Sequence, residues 1–146
     1  MSQITSLYVY KVVGQASPGV KTRDLVEGLG LAPDGPIDPA QMVSSSDYYD
    51  FFAALADRHP DGLVLPLRIG AAMRSDEYGA FGLAWKSAPT LRGSYVRSER
   101  YGHDLGSAEA YSLEETADGY FFSLEKAGDG RAGMVLSMEA SMSAVD

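Results

Sequence analysis

The sequence predicts an α+β fold, with an N-terminal helical part followed by a short antiparallel β-meander and the start of a further helix. Apolar residues recur at helical spacing through most of residues 3–105. The pattern then changes to short strands separated by Asp-Gly turns. Because the strands follow the helices and do not alternate with them, a sheet built of βαβ units is not expected.

The first part of the chain contains two predicted helices and a connector. Residues 3–14 are rich in β-branched and aromatic residues that suit a strand as well as a helix, and the spacing of the apolar residues favours the helix. Residues 20–29 continue the helical period, and Gly30 is a suitable stop. Residues 31–42 hold three prolines and are predicted to be an extended connector.

Two more helices are predicted around the next prolines. Residues 44–62, SSSDYYDFFAALADRHPDG, begin with cap-forming side chains. This helix is expected to end at His59, since the residue before a proline avoids helical dihedral angles. Residues 63–73 suit either a buried strand or a short helix. Pro66 is tolerated in the first turn of a helix and is costly inside a sheet, which favours a helix from about residue 65.

The last predicted helices of this part are rich in small and aromatic residues. Residues 77–88 include Gly79 and Gly82, each of which weakens a helix by about 1 kcal/mol relative to alanine. The close approach of a neighbouring backbone is therefore expected at these glycines. Thr90 is predicted to cap a helix that covers residues 91–105.

Residues 109–138 are predicted to form three antiparallel strands, because strong turn signals occur at Asp118-Gly119 and Asp129-Gly130. Apolar and polar residues alternate along the first two strands, so one face of the meander is expected to be covered and the other to face water. Residues 139–146 are predicted to start a further helix.

Composition restricts the classes of function. The chain of 146 residues has the size of one domain and a formal net charge of −8, which argues against nucleic-acid binding by the chain itself. It has no cysteine, so disulfides, thiolate metal sites and cysteine nucleophiles are excluded. No apolar run approaches the roughly 20 residues that span a bilayer, and no signal peptide is evident. A cytoplasmic location is therefore expected, with no membrane partner.

No pattern typical of an active site, a metal site or a cofactor site is found in the sequence. His59 and His103 both fall at predicted helix ends and are expected to be solvated caps, where a cation suits the helix dipole. Neither histidine belongs to a metal-ligating spacing, and no serine lies in a nucleophile motif. No catalytic residue, metal or cofactor is therefore expected.

Aromatic residues cluster on the predicted helices, and two interpretations are open. Tyr78, Phe81 and Trp85 have spacings of three and four, so they share one helix face. The cluster is either ordinary core or the wall of a ligand pocket, in which a nearby cation, Arg68, Lys86 or Arg92, could pair with a carboxylate ligand. On the second interpretation the candidate ligand-binding residues are Arg68, Tyr78, Phe81, Trp85, Arg92 and Tyr95.

Residues 67–105 carry a family resemblance. Their distinctive elements are Leu67-Arg68-Ile69-Gly70, Gly79-Ala80-Phe81-Gly82 followed by Ala84, Lys86-Ser87-Ala88-Pro89-Thr90-Leu91-Arg92, and Arg100-Tyr101. With these elements the chain resembles the N-terminal, arabinose-binding-type sensor domain of AraC-family transcription regulators over about residues 19–146. The chain departs from the family pattern at Gly93-Ser94, which removes a capping-box partner for Thr90.

The resemblance implies a ligand-sensing regulatory domain that is not an enzyme. Its partners would be a small-molecule effector and a second copy of the chain in a homodimer, and DNA would be contacted only through a C-terminal helix-turn-helix domain. Residues 1–146 have no match to that reader domain, so the chain is expected to be part of the N-terminal effector-binding and dimerisation domain. A small metabolite-processing enzyme and a plain protein-interaction domain remain as alternatives.

Overall fold

The computed structural model describes residues 1–144, which form seven α-helices, four strands and two short 3-10 turns. The helices are α1 Ser6–Gly14, α2 Arg23–Gly28, α3 Ser45–Arg58, α4 Leu65–Ala72, α5 Gly79–Lys86, α6 Leu91–Tyr101 and α7 Ala132–Ser143. The strands are β1 Gln3–Thr5, β2 Met42–Ser44, β3 Glu109–Thr116 and β4 Gly119–Lys126, and the 3-10 turns are Ser75–Glu77 and Gly102–Leu105. The predicted α+β class is confirmed.

The strands form two separate antiparallel pairs. Short strands β1 and β2 pair near the N-terminus, and an isolated bridge joins Ile4 to Gly106. Strands β3 and β4 form a hairpin that pairs Glu109 with Lys126 at its open end. Its turn uses Gly119 at a φ of 142°, a backbone conformation that suits glycine. The hairpin lies against α6, where the Leu113 amide donates to Oε2 of Glu99 at 2.7 Å.

Helix α3 is the centre of the core. The Ser44 hydroxyl accepts from the Asp47 amide at its start, and the chain leaves helical geometry at His59, before Pro60, as predicted. One face of α3 packs against α7 and the neighbouring helices. The largest fully buried side chains of the core are Tyr49, Phe52, Ile4, Leu55, Leu65, Ile69, Val9 and Val12.

The third predicted strand was wrong, because residues 132–143 form helix α7. Val135 and Leu136, read as strand residues, are more exposed than the small residues between which they lie. Small residues allow α7 to approach α3 closely: a side chain at position 133 would overlap the Tyr49 carbonyl. The buried residues of α7 are Gly133, Ser137, Ala140 and Ser141, at helical spacing.

Other predicted boundaries moved by a few residues. Residues 3–5 are a strand before α1, α2 occupies only the centre of the predicted segment 20–29, and the connector 31–42 runs into β2. Gly30 follows α2 with a φ of 74° and stops that helix as predicted. The further helix predicted from residue 139 begins earlier, and residues 145 and 146 of that prediction lie outside the described residues.

The two histidines behave differently. His103 is exposed beside Asp104, as expected for a solvated helix end. His59 is buried, with 5% of its surface exposed, so its assignment as a solvated cap was wrong. Its ring nitrogens bond to residues on either side: Nδ1 accepts from the Asp61 amide at 3.1 Å, and Nε2 lies 2.9 Å from the Ser17 hydroxyl. The hydrogen bonds of His59 therefore link the loop after α1 to the end of α3.

The two glycines of α5 are required for different reasons. A side chain at Gly82 would overlap the carbonyl oxygen of Ser75, so the predicted close approach occurs there. Gly79 has open space around it and a φ of 59°, which favours glycine for the backbone conformation alone. Close contact with the preceding 3-10 turn positions α5.

None of the helices in residues 1–144 has the length and apolar character that crossing a bilayer requires.

Candidate functional site

A cavity of about 390 Å³ lies between helices α5 and α6 and the β3–β4 hairpin. Tyr8 of α1 and Ser141 of α7 close its inner end, and Arg74, Asp76 and Lys86 also line it. Concave sites of this size, with apolar walls and a few polar groups, are typical of small-molecule binding.

Seven of the seventeen residues that line the cavity are aromatic. Phe81 stacks on Tyr111 with ring centroids 6.4 Å apart, Tyr111 on Phe122 at 5.8 Å, and Phe122 on Tyr95 at 4.5 Å. Helix α5, helix α6 and the hairpin therefore meet through one continuous set of rings. The aromatic side chains that line the cavity are Tyr8, Tyr78, Phe81, Trp85, Tyr95, Tyr111 and Phe122.

The structure brings four of the six candidate ligand-binding residues to this cavity, and all four are aromatic. Tyr78, Phe81 and Trp85 reach it from one face of α5 and its preceding turn, and Tyr95 reaches it from α6. Two of the four, Tyr78 and Phe81, also pack against the core. That these side chains bind a ligand stays a prediction.

The two arginines of the predicted site lie away from the cavity. Arg68 is exposed, and its guanidinium lies 3.7 Å from the Asp61 carboxylate. It does not reach the cavity, because its neighbour Ile69 occupies the buried face of α4. Arg92, in the first turn of α6, lies over the outer ring of Tyr120 at 5.3 Å from the centroid. The positive charge expected from these two residues inside the pocket is therefore absent, and Lys86 alone of the three suggested cations lines it.

A buried ion pair at the inner end was not predicted from the sequence. The side chains of Glu109 and Lys126 are 1% and 0% exposed and form a salt bridge. Three hydroxyl groups also converge on Glu109: Tyr111 donates at 2.9 Å, Ser141 at 3.2 Å and Tyr8 at 3.5 Å. The two charged residues are paired in the register of the hairpin, so a predicted register could have placed them together. Their burial could not be predicted in this way, because it depends on contacts distant in sequence.

Burial keeps the phenols at the inner end protonated. It raises the pKa of Tyr8 and of Tyr111 well above the usual value of 10.0, and the negative charge of Glu109 raises both further. The pKa of Tyr78 is raised for the same two reasons. These hydroxyls are therefore neutral hydrogen-bonding groups at physiological pH.

Charged side chains surround the outer part of the cavity. Arg74 Nε lies 3.2 Å from Oδ1 of Asp76, and this hydrogen bond lowers the pKa of Asp76. Lys86 also lines the cavity, and its positive charge lowers the pKa of Asp76 further. The outer part of the cavity, which we call the mouth, is lined by Arg74, Asp76 and Lys86 and therefore has more positive than negative charge.

Helices α5 and α6 are joined tightly at the wall of the cavity. The Arg97 guanidinium donates to the Ala84 carbonyl and, at 2.9 Å, to the Ser87 hydroxyl, so it binds the C-terminal end of α5. The Ser94 hydroxyl donates to the Trp85 carbonyl at 3.0 Å. Arg97 therefore has a structural role at the junction of α5 and α6.

Comparison with known proteins identifies the family. Residues 19–145 match the model of the arabinose-binding domain at the N-terminus of AraC transcription regulators. The chain is 30% identical over 100 residues to an uncharacterized HTH-type transcriptional regulator of Mycobacterium bovis and to another of Mycobacterium tuberculosis. The aligned part is 68% of this chain, and it spans 29% of the length of each relative. The chain belongs to the family of N-terminal arabinose-binding domains of AraC transcription regulators.

Proposed function

We propose that this chain is the effector-sensing domain of an AraC-type transcription regulator and that the aromatic cavity is its effector site. The main support is that the cavity is walled by α5 and α6, which carry the family's distinctive segments at residues 79–92. The name of the family describes a ligand-binding domain in transcription regulators, and the cavity supplies a volume suited to a small metabolite.

The effector would act by shifting a conformational equilibrium. The walls of the cavity come from α1, α5, α6, α7 and the hairpin, and aromatic contacts join α5 to the hairpin and the hairpin to α6. A ligand that binds one arrangement of these elements more tightly than another shifts the population toward that arrangement. DNA would be read by a separate helix-turn-helix domain of the regulator, whose presentation this domain controls.

We also propose that the domain has no catalytic activity of its own. The enzymatic alternative required Arg68 or Arg92 beside the tyrosines in one recess, and both arginines are on the outside. The carboxylate at the inner end, Glu109, is already bonded to Lys126 and to hydroxyl groups, which makes it unsuitable as a general base. A cytoplasmic location and a homodimer remain part of this proposal.

A metabolite screen tests the proposed function. Thermal unfolding of the purified chain would be measured with amino acids, sugars and small carboxylates, because a ligand that binds the folded state raises its melting temperature. At least one compound is expected to stabilise the chain and to change operator binding by the regulator that contains this domain. If no compound does either, the sensing function is wrong, and a plain interaction domain becomes the better interpretation.

A further inference from the structure

We propose that the effector is a hydroxylated aromatic carboxylate, with its ring against the aromatic wall, its hydroxyl at the inner end and its carboxylate at the mouth. This inference rests on the proposed function and adds the chemical class of the ligand. Three independent features of the cavity support it: the arrangement of the rings, the hydrogen-bonding state of the inner hydroxyls, and the excess charge at the mouth.

The aromatic wall favours a flat ligand. Four rings lie nearly parallel in sequence, with angles of 29° between Phe81 and Tyr111, 17° between Tyr111 and Phe122, and 22° between Phe122 and Tyr95. These rings stack on one another, so the faces not used within the series are those of its end rings, Phe81 and Tyr95, and a planar ring can add there in the offset geometry that aromatic pairs prefer. A saturated ring of the same size could not stack in this way.

The inner end favours a hydrogen-bond donor on the ligand. The hydroxyl hydrogens of Tyr8, Tyr111 and Ser141 are used on Glu109, so what these groups have left is the acceptor capacity of their oxygens. Lys126 neutralises the carboxylate behind them, so the inner end carries no net charge to attract a cation. A phenolic O–H can donate to these acceptors and accept from the neutral Tyr78 hydroxyl that lines the same cavity, which neither a carboxylate nor an ammonium group can do.

The mouth favours an anion on the same ligand. Arg74 is paired there with Asp76, and the neighbouring Glu77, whose carboxylate accepts from the Arg74 amide at 3.2 Å, is paired with Lys11. Lys86 is the other cation that lines the cavity. The Lys86 ammonium therefore carries the excess positive charge and is exposed enough to meet an incoming carboxylate. Charge-assisted hydrogen bonds of this kind are roughly twice as strong as neutral ones.

Calorimetric titration of the purified chain with defined probes tests the ligand class. The probes are 4-hydroxybenzoate and the longer 4-hydroxyphenylacetate, with the methyl ester of each, the cyclohexane analogue of each, and L-arabinose. At least one hydroxylated aromatic acid is expected to bind, with affinity about tenfold or more above that of its ester and its saturated analogue. Binding of arabinose or of the saturated acid in preference would overturn the class.

The same titrations distinguish failure of this inference from failure of the proposed function. If the aromatic acids do not bind while another metabolite in the screen does, the ligand class is wrong and the sensing function stands. If no compound of any class binds, both are wrong.

Two variants test the orientation of the bound acid. Lys86→Gln is expected to weaken binding of the acid about tenfold and to leave binding of the ester unchanged, whereas Lys21→Gln, an exposed lysine away from the cavity, should change neither. Tyr8→Phe keeps the ring and is expected to weaken binding of the hydroxylated acid but not binding of the same aromatic acid without its hydroxyl group. The orientation would be overturned if the acid bound Lys86→Gln as tightly as it binds the native chain, or if Tyr8→Phe weakened the acids with and without the hydroxyl equally.

Discussion

The Glu109–Lys126 pair is the residue-scale feature on which the inner end of the cavity depends. Both side chains are almost completely buried, and two hydroxyls within 3.2 Å help to satisfy the carboxylate. Removing charges from water is costly, so such a pair stabilises the fold only while it stays complete. Among residues 1–144, every buried side-chain nitrogen or oxygen has a hydrogen-bond partner, and this pair contributes to that balance.

Breaking this pair is expected to be strongly destabilising. Lys126→Met leaves Glu109 buried without its countercharge, and we expect the free energy of unfolding to fall by about 3–5 kcal/mol in urea denaturation. Arg23→Gln, which removes one partner of the exposed pair with Asp34, is the control and should have little effect. A Lys126→Met variant as stable as the native chain would show that the pair is not buried in solution.

Gly82 is a second residue whose identity is set by a contact. A methyl group there would overlap the Ser75 carbonyl, so Gly82→Ala is expected to lower the free energy of unfolding by about 1–3 kcal/mol. Gly28→Ala, at a helical glycine with no neighbour within 4 Å, should leave stability unchanged or raise it slightly. Chemical denaturation of both variants checks this, and equal behaviour would contradict the packing of α5 on the 3-10 turn.

At the scale of elements, local signals predicted the helices that have clear caps and stops. Helix α3 has a serine cap at its start and a proline just after its end, so both of its bounds follow from residues next to them. Helix α4 has a proline in its first turn, which predicts where it starts. Helix α7 lacks a side-chain cap and buries small residues, so its apolar Val135 and Leu136 misled the prediction toward a strand. Its helical state depends on packing against α3 and α4, which local sequence does not contain.

The cap of α6 gives a test at this scale, because α6 forms one wall of the cavity. The Thr90 hydroxyl accepts from the Gly93 amide at 3.0 Å, as predicted for an N-cap. Thr90→Ala is expected to cost about 1 kcal/mol of stability, measured by thermal or urea unfolding. Thr22→Ala, at the N-cap of α2 where the threonine makes no side-chain cap bond, is the matched control and should cost much less. Equal costs would contradict the capping role.

At the scale of the whole molecule, the site unites residues from both ends of the described chain. Tyr78, Phe81 and Trp85 could be grouped from sequence because residues three and four apart share a helix face. Tyr8, Tyr111 and Ser141 could not be grouped, since they are brought together only by the packing of α1, the hairpin and α7. The positions of Arg68 and Arg92 away from the cavity could not be predicted for a related reason, because the face of a helix that carries a cation is known only once its neighbours are placed.

The buried tyrosines predict how stability depends on pH. The pKa values of Tyr8, Tyr48 and Tyr111 are raised in the folded state, first by burial and then by the charge of Glu109. The folded chain therefore holds these protons more tightly than the unfolded chain, so their contribution to stability is full below about pH 10 and declines above it.

We expect the urea midpoint to fall as the pH rises above about 10, with a group of tyrosines that ionises only as the chain unfolds. The ultraviolet absorbance of tyrosinate reports this ionisation, and the nine tyrosines supply the signal. If all of them ionise near pH 10 while the fold remains intact, the buried inner end is wrong.

Binding of a small molecule in the aromatic cavity is most directly measured through the fluorescence of Trp85, the single tryptophan of the chain, which lines that cavity. We expect a metabolite that raises the melting temperature to change this emission in a saturable manner, with one site per chain. Tyr95→Leu, at a cavity-lining position of α6, should weaken the response. Tyr101→Leu, at an exposed position of the same helix, should not. A stabilising metabolite that leaves Trp85 emission unchanged, or equal responses in the two variants, would contradict the assignment of the effector site.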